Sequence, residues 1–440
     1  MISRKRKLAL RLATVSLGCL AGIVAAELML RVFWPVRDEY YLWLPHLKAT
    51  FRPAPEIVHG VGPEAHLKVN SQGVLGDEWS ANRSSEYRIF AVGGSTTQCI
   101  LLDQSKAWPA LVEEGLDRTA EGRKVWVGNG GRPGFSSRDH LGLMRYALDQ
   151  YDIDAIFMLV GGNDMTLRLV QGNSYDPHFV DDEAQFYDWV RNRFALAPLA
   201  LSKEHRWSYR RTAVWQMARW IKAGYLSRDI RMDDEGRWLA AARESRRKAE
   251  FVDALPPLAS ALDEYERNIE RIVNETRKRS LRIIFLTQPA LWQAAMPESE
   301  EQLLWMGFLP EKPDQDLSWP WWESGGGRMY TAGALRRAMD SYNQRLLETC
   351  SRLQVECVDV AARIPRTREM FFDDLHFTDA GARRVAAELI GYLKAQAPFA
   401  ETETSHDELG RGRKEQRRAL WQDGQNWAGS RTCTGGHACL

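Results

Sequence analysis

Apolar residues along this chain follow two spacings, and the alternation between them predicts the fold. Short runs at 89–92, 124–127, 155–160, 282–287 and 355–360, the first and third unbroken and the rest mainly apolar, have the character of buried parallel strands. Between them the apolar positions recur every three or four residues, as on one face of a helix. Leu111, Val112 and Leu116 follow Trp108-Pro109, where the proline suits a first helical turn. Leu141, Met144 and Leu148 form a second stripe, and Tyr265, Ile269, Ile272 and Thr276 a third. Leu335, Met339, Tyr342 and Leu346 make a fourth; Ala382, Val385, Ala386 and Leu389 make a last one, behind a Thr378 N-cap. Strands alternating with helices predict an α/β fold, a parallel sheet covered on both sides in a three-layer α/β/α sandwich.

The periodicity lapses in two places. Residues 165–261 are rich in Arg and carry Trp207, Trp215, Trp220 and Trp238; residues 290–329 carry Trp292, Trp305, Trp319, Trp321 and Trp322. A compact α/β core needs no such length between strands. Both stretches read as insertions, the first helical in composition. The tryptophans suit core or lid packing; the sharper reading is a surface on which a sugar ring stacks.

The two ends of the chain stand apart from the domain at 83–398. Residues 1–35 hold an apolar stretch from Leu12 to Leu30, broken only by Glu27 and preceded by Arg4, Lys5, Arg6, Lys7 and Arg11. It is just long enough to span a bilayer, and the basic cluster predicts that everything after it is exported. Val24-Ala25-Ala26 allows a cleaved signal peptide. The apolar character resumes with Leu28, Met29, Leu30, Val32, Phe33 and Trp34, which favours an uncleaved membrane anchor. Residues 36–82 read as a lead-in packed against the domain, with a short strand at 66–69 and a turn at Asn70-Ser71-Gln72-Gly73. The tail, 399–440, is polar and aperiodic and is expected to be disordered.

Composition narrows the function classes. A net charge of +1 lacks the basic excess of a nucleic-acid binder. The six cysteines form no Cys-x-x-Cys pair and have no histidines at zinc spacing, so no structural metal is expected. Cys350 and Cys357 could pair in an oxidising compartment, but two core thiols are the default.

Chemistry enters where strands meet glycines. Gly93-Gly94-Ser95 ends the first buried run, and Asn129-Gly130-Gly131-Arg132-Pro133-Gly134 ends the second. Gly161-Gly162-Asn163-Asp164 ends the third, while Asp373-Asp374-Leu375-His376 follows the fifth. In an open parallel sheet all these positions share the carboxyl edge, where ligands bind. Ser95 is then a candidate nucleophile, His376 its base, and Asp373 the acid that fixes the imidazole tautomer. The N–H groups of Ser95 and Gly134 and the Asn163 amide could supply an oxyanion hole. Each has a plainer reading: a cap or turn serine, turn residues at Gly134 and Asn163, a cap and a surface histidine at Asp373 and His376. Asp374 is a second candidate acid, and His140, beside Asp139, a second candidate base. No metal or cofactor is called for.

These four stretches, in this order, resemble the block motifs of the SGNH (GDSL-like) hydrolases, with Gly-Gly-Ser in place of Gly-Asp-Ser in the first. The resemblance spans about 87–393 apart from the insertions, which fit no substrate class. It implies Ser95, Asp373 and His376 as catalytic residues and Ser95, Gly134 and Asn163 as the oxyanion hole. The N-terminal segment and the turn at 70–73 look like exported bacterial members. The expectation is a membrane-anchored, extracytoplasmic serine esterase, acting on an ester such as an acylated carbohydrate through an acyl-enzyme. Two alternatives are an O-acyltransferase to a sugar hydroxyl and a non-catalytic binding protein of the cell envelope with a hydrolase-like core.

Overall fold

The structure is a computed structural model that describes residues 4–33, 40–99, 101–194, 212–226, 229–309 and 327–400. Trp207, Trp319, Trp321, Trp322 and the tail beyond 400 lie outside the described residues. Five strands form the central sheet: β1 (Glu86–Gly93), β2 (Lys124–Asn129), β3 (Ala155–Leu159), β4 (Arg282–Leu286) and β5 (Glu356–Val358), in the order β2-β1-β3-β4-β5. Every pairing is parallel. All of β1 and β3 are buried, as strands covered on both faces must be, and the two charged residues of β1, Glu86 and Arg88, meet that burial as an ion pair at 3.1 Å.

Six helices cover the sheet: α1 (Trp108–Leu116), α2 (Ser137–Tyr146), α3 (Gly162–Gln171), α4 (Ala259–Arg277), α5 (Ala332–Leu353) and α6 (Asp379–Lys394). α1 packs on α6, whereas α4 packs on α2, α3 and α5, so the helices fall into two groups. The predicted stripes are the buried ones: Tyr265, Ile269, Ile272 and Thr276 on α4, and Leu335, Met339, Tyr342 and Leu346 on α5. Starts are set by local chemistry. Pro109 sits in the first turn of α1. Ser136 and Asp139 close a reciprocal capping box on α2, and Thr378 caps α6 by accepting from the Gly381 N–H.

The first insertion differs from its reading. Met165 belongs to the regular helix α3, and Ala259–Ala261 to α4. Between them lie the helices Glu183–Arg193, Ala213–Leu226 and Trp238–Arg247, but also the strands Ile230–Glu235 and Glu250–Val252. Ile230–Glu235 pairs in parallel with Lys48–Pro53, which itself pairs antiparallel with Ala65–Lys68, so lead-in and insertion share one sheet. Glu250–Val252 pairs with Arg328–Tyr330, which pairs with Phe308–Leu309; the two insertions are thereby joined. Both strands of the first insertion are largely exposed, so no apolar alternation marks them in the sequence. The lead-in is pinned by Asn70, whose buried carboxamide accepts from Gln72 N and Val74 N and donates to the carbonyl of Asp77.

Cys350 and Cys357 are both free thiols. Among the described residues one helix, over 11–33, is long and apolar enough to cross a membrane, and its side chains are exposed except at Ala26, Glu27 and Leu30, which are half-buried.

Candidate active site

At the carboxyl edge of the sheet the chain leaves β1 through Gly93-Gly94 and enters a single helical turn, Ser95–Gln98. A Cβ on Gly94 would lie 2.4 Å from Asn163 Nδ2, so only glycine lets the asparagine amide approach the serine turn this closely. After β2, Asn129 ties the glycine loop to that turn: its Nδ2 donates to Thr97 O at 2.9 Å, and its Oδ1 accepts from Gly131 N at 2.9 Å. Gly134 has φ +73, in the left-handed region that favours glycine. After β3, Asn163 on α3 donates through Nδ2 to Phe135 O at 2.8 Å, which aims the amide between the two loops. Among the described residues neither Ser95 N nor Gly134 N donates a hydrogen bond within the chain.

The last loop folds back on itself: Phe371 bridges Phe377, and Phe372 N donates to His376 O at 3.0 Å. This places His376 Nε2 2.7 Å from Ser95 Oγ and Nδ1 2.7 Å from Asp373 Oδ2. The imidazole stacks on Phe372 at 5.7 Å. An ionised Asp373 only accepts, so Nδ1 carries the hydrogen and Nε2 is left to accept from the Ser95 hydroxyl. Asp373 also accepts from Leu375 N at 3.0 Å, His376 N at 2.8 Å and Trp305 Nε1 at 3.1 Å. Burial works to raise the Asp373 pKa, but His376 and the backbone N–H groups of His376 and Leu375 outweigh it and hold the carboxyl below its ordinary range. Burial likewise opposes protonation of His376, yet the Asp373 charge outweighs it and holds the imidazole above its ordinary value.

The alternative residues are placed elsewhere. Asp374 accepts from Trp292 Nε1 at 2.7 Å, Trp305 N at 2.8 Å and Met306 N at 3.2 Å, tying the second insertion to the loop. Burial, then the neighbouring Asp373, pushes its pKa up. His140 is fully buried on α2, packed against Phe135, and burial pushes it down to about 4. Asp139 beside it is spent on the α2 cap, Trp189 and Arg193.

The sequence reading missed what steadies the loop. Arg243, buried on the helix Trp238–Arg247, donates to the carbonyls of Phe372 at 2.8 Å, Leu303 at 3.1 Å and Ile57 at 2.8 Å. Trp305 was visible only as one tryptophan in an aperiodic stretch, and Arg243 as one arginine among many. No spacing signal links either to Asp373. A cavity of about 540 Å³ opens over Ser95 and His376. Leu101, Leu102, Leu239, Met306 and Phe308 line it, with Trp238 and Trp305 packed edge to face at 4.9 Å. Among the described residues no group of three or more His, Cys, Asp or Glu side chains could hold a metal ion.

Asp374→Asn replaces an acceptor-only group by an amide that must turn its NH₂ toward at least one buried N–H donor. We expect a loss of about 1–3 kcal/mol in chemical denaturation, the cost of a buried donor left unpaired. Unchanged stability would mean that the Asp374 contacts do not hold the second insertion.

The profile of the GDSL-like lipase/acylhydrolase family matches residues 91–384, more than half of the chain and all four glycine-and-polar stretches from Gly93 to His376. Among solved structures, the chain is similar to an acetylxylan esterase from Geobacillus stearothermophilus, with 15% identity, 69% of this chain and 93% of that chain covered, and a TM-score of 0.35. It is also similar to an α/β hydrolase from the metagenome of Lake Arreo, Spain, with 13% identity, 69% and 94% covered, and a TM-score of 0.35. No curated protein matches it. On the family match, the chain belongs to the GDSL-like lipase/acylhydrolase family, and the protein is a serine hydrolase of the esterase type.

Proposed function

We propose that the protein hydrolyses an ester through an acyl-enzyme on Ser95, with His376 as general base and acid and Asp373 as its orienting carboxylate. The observation that carries this reading is the unbroken hydrogen-bonded chain from Ser95 Oγ through His376 to Asp373. Ser95 Oγ attacks the ester carbonyl carbon while its proton passes to His376 Nε2. The C–O bond to the alcohol then breaks, and the same proton leaves with the alcohol. Water, deprotonated by His376, attacks the acyl carbon in turn and releases the acid and the free serine.

Both tetrahedral intermediates carry an anionic oxygen. Ser95 N, Gly134 N and the second hydrogen of Asn163 Nδ2, whose first is held by Phe135 O, are the donors proposed for it. The apolar walls favour a substrate whose acyl part is apolar, packed on Leu101, Leu102 and Met306. An acylated carbohydrate remains the substrate class we propose. Trp305 is buried and bonded to Asp373, so it acts as scaffold; Trp238, beside it at the cavity wall, is the candidate for a sugar face. The domain is proposed to lie outside the cytoplasm, because five basic residues precede the apolar stretch from Leu12 to Leu30.

Fluorophosphonate labelling tests the nucleophile. Ser95→Ala should abolish labelling, whereas Asn163→Ala should label slowly and lose about 10²–10³ in kcat with little change in KM. Asn163→Asp, which sets a negative charge beside the oxyanion, should be worse than alanine. Wild-type turnover in a folded Asn163→Asp variant would remove Asn163 from the site.

The pH profile tests the base. His376 must be neutral to accept the serine proton, so activity falls as pH drops through its pKa. With that pKa raised by Asp373, the acid limb should lie above an ordinary histidine's. Asp373→Asn removes the charge, so the limb should move to lower pH while kcat drops by about 10⁴. An unmoved limb would separate Asp373 from the base.

A reporter enzyme fused after Arg37 tests the orientation. It should be active only if it works outside the cytoplasm; strong activity of a cytoplasmic reporter would overturn the export.

A further inference from the structure

The apolar N-terminal helix contains one acidic residue, Glu27, and the catalytic assignment gives it no role. A carboxylate within a span is costly and needs a named partner. Glu27 Oε2 accepts from the backbone N–H of Val214 at 3.1 Å, in the first turn of the helix Ala213–Leu226, and Oε1 accepts from Arg31 at 2.7 Å. The insertion helix therefore starts beside the apolar helix, packed along it, at a level about 9 Å inside the end at Phe33 by helical rise. Further along, Trp220 meets Tyr41 edge to face at 5.5 Å, where the domain begins.

Over 213–222, the part of this helix whose side chains are described, the exposed positions fall on one face: Trp215, Ala218, Ile221 and Lys222. Trp215 is 38% and Ile221 66% exposed. A helix facing water would carry polar residues there; Trp, Ile and a long Lys that can reach the headgroups are what a bilayer boundary selects. The apolar helix shows the same character, with Val24 and Leu28 exposed on either side of Glu27's level.

We propose that the helix Ala213–Leu226 is a second membrane contact, seated at the headgroup–acyl boundary with Trp215 and Ile221 in lipid and docked on the span through Glu27. This rests on the reading of the N-terminal helix as a membrane span. The same insertion supplies Trp238 and Leu239 to the cavity over Ser95, so seating it would hold the esterase site against the bilayer surface.

The test places p-benzoylphenylalanine singly at Val24, Trp215, Ile221 or Glu348 in the full-length chain, reconstituted in phosphatidylethanolamine–phosphatidylglycerol vesicles. After irradiation, lipid adducts are counted by mass spectrometry. Adducts at Trp215 and Ile221 should match those at Val24 and exceed those at exposed Glu348 by roughly tenfold. Adducts at Val24 with none above the Glu348 level at Trp215 and Ile221 would overturn the proposal and leave the span standing. Cross-links from Trp215 to a second copy of the chain in place of lipid would overturn it too. No adducts at Val24 would remove the span and the proposal together, without touching the serine chemistry.

Discussion

Two adjacent carboxylates, Asp373 and Asp374, are buried at the carboxyl edge of the sheet, and much of the surrounding structure exists to satisfy them. An unpaired buried charge is among the costliest features a fold can hold. Asp373 meets this cost with His376, Trp305 Nε1 and two backbone N–H groups; Asp374 meets it with Trp292 Nε1 and the N–H groups of Trp305 and Met306. The cationic helix Trp238–Arg247 lies behind them, where Arg243 and Arg246 draw on backbone carbonyls, so their charge remains to offset the carboxylates. Trp305 touches both acids. The second insertion is thus coupled to the imidazole through one indole.

That coupling gives the insertions a part beyond covering a site. Arg243 joins the lead-in at Ile57, the second insertion at Leu303 and the last loop at Phe372. The two small sheets cross-link the same segments, pairing lead-in with first insertion and first insertion with second. Segments that look like decoration along the chain are mutually bonded around the imidazole. A preorganised site requires such support, because an imidazole held loosely by one carboxylate would lose its angle to Ser95.

On the opposite side of Ser95 the constraint is steric. Gly94 admits the Asn163 amide, Gly134 takes a left-handed turn, and Asn129 clamps the glycine loop to the serine turn. The polar cluster beneath works the same way. Ser137 donates to Asp164 from its N–H at 3.0 Å and from its hydroxyl, and the Asn268 amide donates to Ser137 Oγ at 3.0 Å. Burial raises the Asp164 pKa to about 6. α2, α3 and α4 are thereby bonded through three side chains, which sets the Asn163 end of α3 against the loop after β2.

The sequence by itself determined the α/β class, the five strands and the stripes of five of the six covering helices; α3 was hidden in the stretch read as an insertion. Periodicity reports burial directly, and burial is what orders a sheet and its covering helices. It also determined Ser95, Gly134, Asn163, Asp373 and His376 as candidates, because strand-ending glycines and a short-spaced Asp and His are local patterns. The three-residue spacing to His376 favoured Asp373 over Asp374 in the sequence, but the partner of each is tertiary: the fold turns one toward His376 and the other toward Trp292. The strands Ile230–Glu235 and Glu250–Val252 were hidden because exposed edge strands carry no alternation. Arg243, Trp305 and the Glu27–Val214 contact were hidden for a deeper reason. Each joins residues at least 60 positions apart, and their pairing is decided by where the chain packs rather than by anything written beside them.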